Sequence, residues 1–203
     1  MKMIIAVEGG DMVGKATQTA RLAKRMRECD IKVITAEVPF AGGAFYQTIY
    51  DMLESGAARR WPILFQTLHA VNKLSCQLAL LRADADAVVF DRWHMSSMIY
   101  GIASGLPRWL VRALGAVLVR PDLTIVLDRC DKLTRDEASD SYERDTEMQR
   151  HVKQMYADAC DGVSVVRVDA SGTVEEVAAR VSRAVIIRAA AIGAIKIAMR
   201  FGT

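Results

Sequence analysis

The strongest constraint on the fold of this chain is a nine-residue stretch, GGDMVGKAT (9–17), and its setting. It follows the short apolar run MIIAV (3–7) and leads into the helix-forming ATQTARLAKRM, a strand, a glycine-rich loop and a helix in sequence. That context turns a glycine-lysine match into a phosphate-binding loop of the form G-x-x-x-x-G-K-[ST]. Backbone N–H groups of Gly9, Gly10, Asp11, Met12, Val13 and Gly14 converge on phosphate oxygens in such a loop, and the helix N-terminus adds its dipole. Lys15 is placed to reach the β- and γ-phosphates. Gly9 and Gly14 supply backbone freedom and close approach. One part is missing. A hydroxyl that ligates Mg²⁺ belongs directly after the lysine, and Ala16 stands there. Thr17 does not simply replace it, since neighbouring helical residues point about 100° apart. Carboxylates can hold Mg²⁺ through its waters, and Asp11, Asp140 and Glu143 are the candidates.

Four further runs repeat the pattern of the first: 32–36, 87–90, 123–127 and 163–168 are short and rich in Val and Ile. Each reads as a strand buried on both faces. Helix-like segments at 14–28, 43–54, 62–82, 95–103, 107–117, 141–160 and 174–200 alternate with them. The reading is an α/β fold, one domain over 1–203, with a five-stranded parallel sheet and helices on both faces. Asp140 or Ser141 is a candidate N-cap for the helix after the charged stretch 128–145. Ligands bind at the carboxyl ends of strands in such sheets.

Composition excludes more than it selects. At 203 residues, 52% hydrophobic and 25% charged, the chain is long enough to bury a core without metal or disulfide support. A formal charge of +3 is too slight for nucleic-acid binding and suits anionic small molecules. Cys29, Cys76, Cys130 and Cys160 lack zinc spacing and read as reduced thiols of a cytoplasmic protein. The C-terminal apolar run is interrupted by Arg188, Lys196 and Arg200, which excludes a membrane span and reads as an amphipathic helix.

The acceptor side begins with FDRW (90–93). Arg92, at the end of the third strand, can grip a second phosphate bidentately. Ser96, Ser97 and Tyr100 of the following HMSSMIYG lie on one helix face, where Ser97 and Tyr100 can address a base or sugar together.

With these segments in view the sequence resembles the thymidylate kinase family. VEGGDMVGKATQ is similar to its I-E-G-x-D-x-x-G-K-x-T-Q, and PILFQTLH (62–69) to its L-F-x-x-x-R segment. VVFDRWHMSSMIYG is similar to D-R-Y-x-x-S-x-x-A-Y, PDLTIVLD (121–128) to P-D-L-T-[IL]-x-L-D, and SDSYERD (139–145) to D-x-Y-E-x-D. VPFAGGAFYQTIYDML (38–53) is similar to the family's loop after the second strand. The resemblance implies the P-loop kinase fold with a short lid at about 129–141, and transfer of the ATP γ-phosphate to dTMP with Mg²⁺. It implies that Lys15 and the loop through Thr17 hold ATP and that Asp11 sits near the acceptor's sugar or phosphate. Arg92 would bind the acceptor phosphate, and Phe65 would stack on the pyrimidine. Pro39, Phe40, His69, Ser96, Ser97 and Tyr100 would line the acceptor site, which Asp140, Tyr142 and Glu143 would close. Arg135 is the candidate catalytic lid arginine, with Arg129 and Arg144 as competitors. A homodimer packed through the long helices is implied as well. Ala16 falls at a variable place of the family pattern, which keeps the next threonine, here Thr17; the chain departs from the pattern at His69 where the family has arginine, at Ser97 where a longer side chain often reaches the base, and beside Pro39, where an arginine is lacking. These departures leave two alternatives: another deoxypyrimidine monophosphate as acceptor, or a catalytically weak nucleotide-binding protein.

Overall fold

The computed structural model describes residues 2–129, 146–158 and 164–202. Five strands, β1 (Met3–Glu8), β2 (Val33–Glu37), β3 (Ala87–Asp91), β4 (Leu123–Asp128) and β5 (Val165–Asp169), form one sheet in the order β2-β3-β1-β4-β5. All pairings are parallel, with Val7 opposite Asp91 on one side and Ile125 on the other. The order reverses at β1, so the loops after β1 and β3 open side by side into the crevice where such sheets bind ligands.

Alternation along β1 feeds two cores. Met3, Ile5 and Val7 join Ile125, Leu127 and Val89 beneath α1 (Lys15–Glu28), α8 (Val174–Ala191) and α9 (Ile195–Phe201). Ala6, Val88 and Phe90 face the other way, against Cys76, Trp93 and Leu118. On that second side lie α2 (Tyr46–Glu54), α3 (Ala57–Arg60), α4 (Pro62–Arg82), α5 (His94–Ala103), α6 (Arg108–Gly115) and α7 (Thr146–Ala157). Phe65 of α4, Ile99 of α5, and Met148 and Val152 of α7 pack there around Val126. Burial of both sheet faces is why the strands read as continuous apolar runs.

Two expectations need correction. The helix expected over 174–200 is two helices. Ala194 N–H donates to Ala189 and Gly193 N–H to Ala190, with Gly193 at φ 71°, a Schellman stop that turns α9 away from α8. α8 is closed at its other end by a capping box between Thr173 and Glu176. A separate turn, α3, also precedes α4, whose start is marked by Pro62 in the first turn. Among the described residues no helix is long and apolar enough to cross a membrane. The candidate N-caps Asp140 and Ser141 lie outside the described residues.

Candidate active site

β1 ends at Glu8, and the loop turns at once. Gly9 sits at φ 142°, and a Cβ there would stand 2.6 Å from the Leu127 carbonyl oxygen, so only glycine fits. Met12 and Gly14 also take positive φ before α1 begins at Lys15. The Lys15 ammonium folds back over the loop and donates to the Gly10 carbonyl at 2.5 Å. Burial, with Arg92 beside it, lowers its pKa to about 8 against the pull of Asp11, Asp91 and Glu8. Ala16 and Thr17 face outward and are exposed.

The turn after β3 lies beside this loop. Arg92 adopts φ 65°, an unusual conformation for a side chain of its size, and its N–H donates to Val7 O at 3.0 Å. The guanidinium donates to Asp11 and lies 5.5 Å from the centre of the Tyr100 ring. Asp11 gathers two more donors, the Tyr100 hydroxyl at 2.7 Å and Gln149 Nε2 of α7 at 2.6 Å. Burial alone would raise the Asp11 pKa, but Arg92, Lys15 and the two hydrogen bonds bring it below the ordinary value. Asp11 thus joins the loop, the β3 turn, α5 and α7 in one cluster. Asp91 is buried, and burial raises its pKa despite Lys15 and Arg92 nearby.

A second, fully buried cluster holds up the first. Glu8 accepts from the N–H groups of Trp93 (2.8 Å), Met95 (3.1 Å) and Ser96 (3.2 Å), and from the hydroxyls of Ser96 and Tyr156. It therefore satisfies the N-terminal donors of α5 from a strand some 85 residues earlier in the chain. Trp93 is stacked on Phe90, ring centres 4.0 Å apart, its indole N–H donating to Val119 O at 2.9 Å.

The structure separates the three α5 residues read as one face. Tyr100 points to Asp11 and Ser97 to Lys73 of α4, whereas Ser96 is 6% exposed and spent on Glu8 and Tyr156. Ser96 thus serves the interior and not the crevice. His69 lies edge-on to Phe65, ring centres 4.6 Å apart. Burial, Lys73 and Arg92 lower the His69 pKa to about 3, so the imidazole is neutral. Pro39 and Phe40 lie in the loop after β2, which Asn72 pins through Phe40 N–H (2.7 Å), Phe40 O and Ala44 O (both 3.0 Å). Phe40 is partly buried against the second core, which makes it an anchor of that loop.

Asp140, Tyr142, Glu143, Arg135 and Arg144 lie outside the described residues, as does most of the expected lid; Arg129 is described, with one guanidinium nitrogen donating to Ala170 O at 3.3 Å. Among the described residues no cluster of three metal-ligating side chains occurs. Sequence reasoning missed Gln149, Tyr156 and Lys73, and treated Glu8 and Asp91 only as strand ends. For Glu8 one signal was available: a carboxyl group at the end of an otherwise apolar strand.

A parallel sheet whose order reverses at β1, with a glycine loop, a buried lysine and an arginine turn at that point, defines a nucleotide-binding fold of the P-loop kinase class. The sequence profile of the family "Thymidylate kinase" matches residues 7–181. A thymidylate kinase of Synechococcus sp. (strain JA-2-3B'a(2-13)) is 32% identical over 190 residues, 88% of this chain and 91% of that protein. That of Gluconobacter oxydans is 32% identical over 201 residues, covering 90% and 94%. The solved structure of thymidylate kinase from Candida albicans has a similar fold, with a TM-score of 0.70, 20% identity and 90% of each chain covered. The chain belongs to the thymidylate kinase family.

Proposed function

We propose that this chain is an ATP-dependent kinase that transfers the γ-phosphoryl group of ATP to dTMP, giving dTDP. The observation that carries the reading is the junction, within a chain of this family, of the lysine-bearing loop and Arg92 through Asp11. Two anionic ligands need two positively charged seats at a fixed distance, and adjacent strands provide them. Phosphoryl transfer asks mainly for alignment and charge neutralisation.

In this reading Lys15 leaves the Gly10 carbonyl for ATP phosphate oxygens, joined by the amides of residues 9–17. Arg92 keeps one N–H on Asp11 and offers the others to the acceptor phosphate. Tyr100 and Gln149, already on Asp11, hold that carboxylate where the acceptor's sugar arrives. Phe65, 4% exposed with His69 against its ring, is assigned to the wall for the pyrimidine and must be uncovered to stack on it, while neutral His69 donates a single N–H. Pro39 and Phe40 complete that side, Asp140, Tyr142 and Glu143 are assigned to its closure, and Arg135 to the lid. Mg²⁺ would be held mainly by the ATP phosphates and, through its waters, by carboxylates such as Asp91, Asp140 and Glu143, and there it would neutralise the transferring phosphates. Asp11 is a poorer ligand, since three donors already occupy it.

The reading extends to a single-domain cytoplasmic enzyme acting as a homodimer. Leu64, Val71 and Leu78 of α4 are exposed and recur every seven residues, an apolar seam suited to a second copy. The test is ADP release from Mg·ATP with dTMP, dUMP and dCMP offered separately. Acceptor-dependent release with dTMP is expected; its absence with every acceptor would overturn the proposal. Ala16→Ser should lower the Mg²⁺ concentration needed for half-maximal rate by about 3- to 10-fold, since a hydroxyl restores one ligand.

A further inference from the structure

Two carboxyl groups at the end of β1, Glu8 and Asp11, are each held by the same two helices. Glu8 accepts from the hydroxyls of Ser96 on α5 and Tyr156 on α7, which lie 2.8 Å from each other. Asp11 Oδ2 accepts from the Tyr100 hydroxyl of α5 at 2.7 Å and from Gln149 Nε2 of α7 at 2.6 Å. Along α5 the Glu8 contact comes first and the Asp11 contact one turn later. Along α7 the order is reversed. The result is a ladder of two rungs, with α5 and α7 as its rails and a carboxyl group at the middle of each rung.

The rungs differ in depth. Glu8, Ser96 and Tyr156 are all buried, whereas the Asp11 rung reaches solvent through Arg92, whose side chain is 26% exposed and donates to Asp11 Oδ1. They also differ in what else holds them. Glu8 stands in a paired strand. Asp11 stands in a loop between Gly10 and the positive-φ residues Met12 and Gly14, so its carboxylate takes its direction from its side-chain partners. α7 docks without Gln149, because Met148, Val152 and Tyr156 already bury its inner face. A buried amide is a costly way to add packing. What Gln149 adds is a neutral donor that keeps Asp11 Oδ2 toward the helices and Oδ1 toward Arg92.

We propose that Gln149 is a positioning residue for the acceptor phosphate: by holding Asp11 from α7 it aims the Arg92 guanidinium, while Tyr156 on the same helix serves the stability of the fold alone. The inference rests on the reading above, in which Arg92 offers its other N–H groups to the acceptor, and it assigns a share of acceptor affinity to α7. Without the amide the Asp11 carboxylate is free to turn away from the guanidinium. A hydrogen bond to a charged group is worth about tenfold in binding. ATP, seated in that reading on Lys15 and the loop amides, does not depend on this bond.

The experiment reads calorimetric Kd for dTMP and for ATP separately, kcat and KM from ADP release, and thermal unfolding, in wild type, Gln149→Met, Gln149→Glu and Tyr156→Phe. Gln149→Met keeps the length of the side chain and lacks the donor. It should weaken dTMP about tenfold in Kd and KM, with kcat and ATP affinity within about twofold and the melting temperature within about 2 °C. Gln149→Glu keeps the shape and turns an acceptor toward Asp11, so it should weaken dTMP at least as much. Tyr156→Phe should lower the melting temperature by about 3–6 °C and leave both affinities within about twofold. Unchanged dTMP affinity in either Gln149 variant, equal weakening of dTMP and ATP, or failure of Gln149→Met to fold would overturn the proposal. So would a loss of dTMP affinity in Tyr156→Phe equal to that in Gln149→Met. Wild type that binds dTMP yet releases no ADP would defeat the kinase reading, and the Kd comparison would still decide this inference. Wild type that binds no dTMP would defeat both.

Discussion

At the scale of single residues, Arg92 ties the turn after β3 to the glycine loop. Its guanidinium is tied to Asp11 and its backbone is held at φ 65° by bonds on either side. Arg92→Ala should lower kcat/KM for dTMP by about 10²- to 10³-fold, the size expected for removing a charged group from a phosphoryl-transfer site; coupled ADP release measures it. Arg92→Lys should recover little, because an ammonium lacks the fork that serves Asp11 and a phosphate together. Lys15, Asp11 and Arg92 were legible in the sequence because each sits in a short motif at the end of an apolar run. Lys73, Gln149 and Tyr156 were not. Each is a polar residue inside a helix, and its partner lies 20, 138 or 148 residues away, a distance that no local spacing encodes.

At the scale of elements, the strands were readable to within about two residues at each end, because burial on both faces leaves an unbroken apolar signature. Helix stops were less so. The break between α8 and α9 depends on one left-handed residue, Gly193, in a stretch whose apolar period runs straight through. Removing the N-cap hydroxyl of α8, Thr173→Ala, should cost about 1 kcal/mol in urea unfolding. Glu8→Gln should cost more, about 2–3 kcal/mol by the same measurement. An amide offers one acceptor oxygen where five donors converge, and turns its own N–H₂ toward some of them.

At the scale of the whole molecule, two buried lysines set how stability depends on pH. Burial lowers Lys73 from 10.5 to about 8; Glu8 from β1 and the Cys76 thiol oppose the shift, and Arg92 adds to it. The other titratable groups in its field are His69 on α4 and His94 on α5. Lys15 is lowered to about 8 as well. Between about pH 8 and 9 these two lysines leave the unfolded chain holding protons that the folded chain has shed, so their contribution to stability rises with pH; from about pH 9 the Cys76 thiol, pushed up to about 12 by burial, opposes it. For Lys73 the difference corresponds to about 3 kcal/mol that is missing at neutral pH. Lys73→Met should raise the melting temperature at pH 7 by about 5 °C, and this gain should shrink toward pH 10.5; thermal unfolding in a pH series measures it.

Glu8 gives the fold a limit on its modularity. The strand that launches the glycine loop also carries the carboxyl group that caps the first turn of α5. A chimera that exchanges residues 3–17 alone with a relative must bring a carboxyl group of the same reach, or it will unwind the first turn of α5 and displace Arg92 with it. The loop after β1 and the first turn of α5 are thus one structural unit.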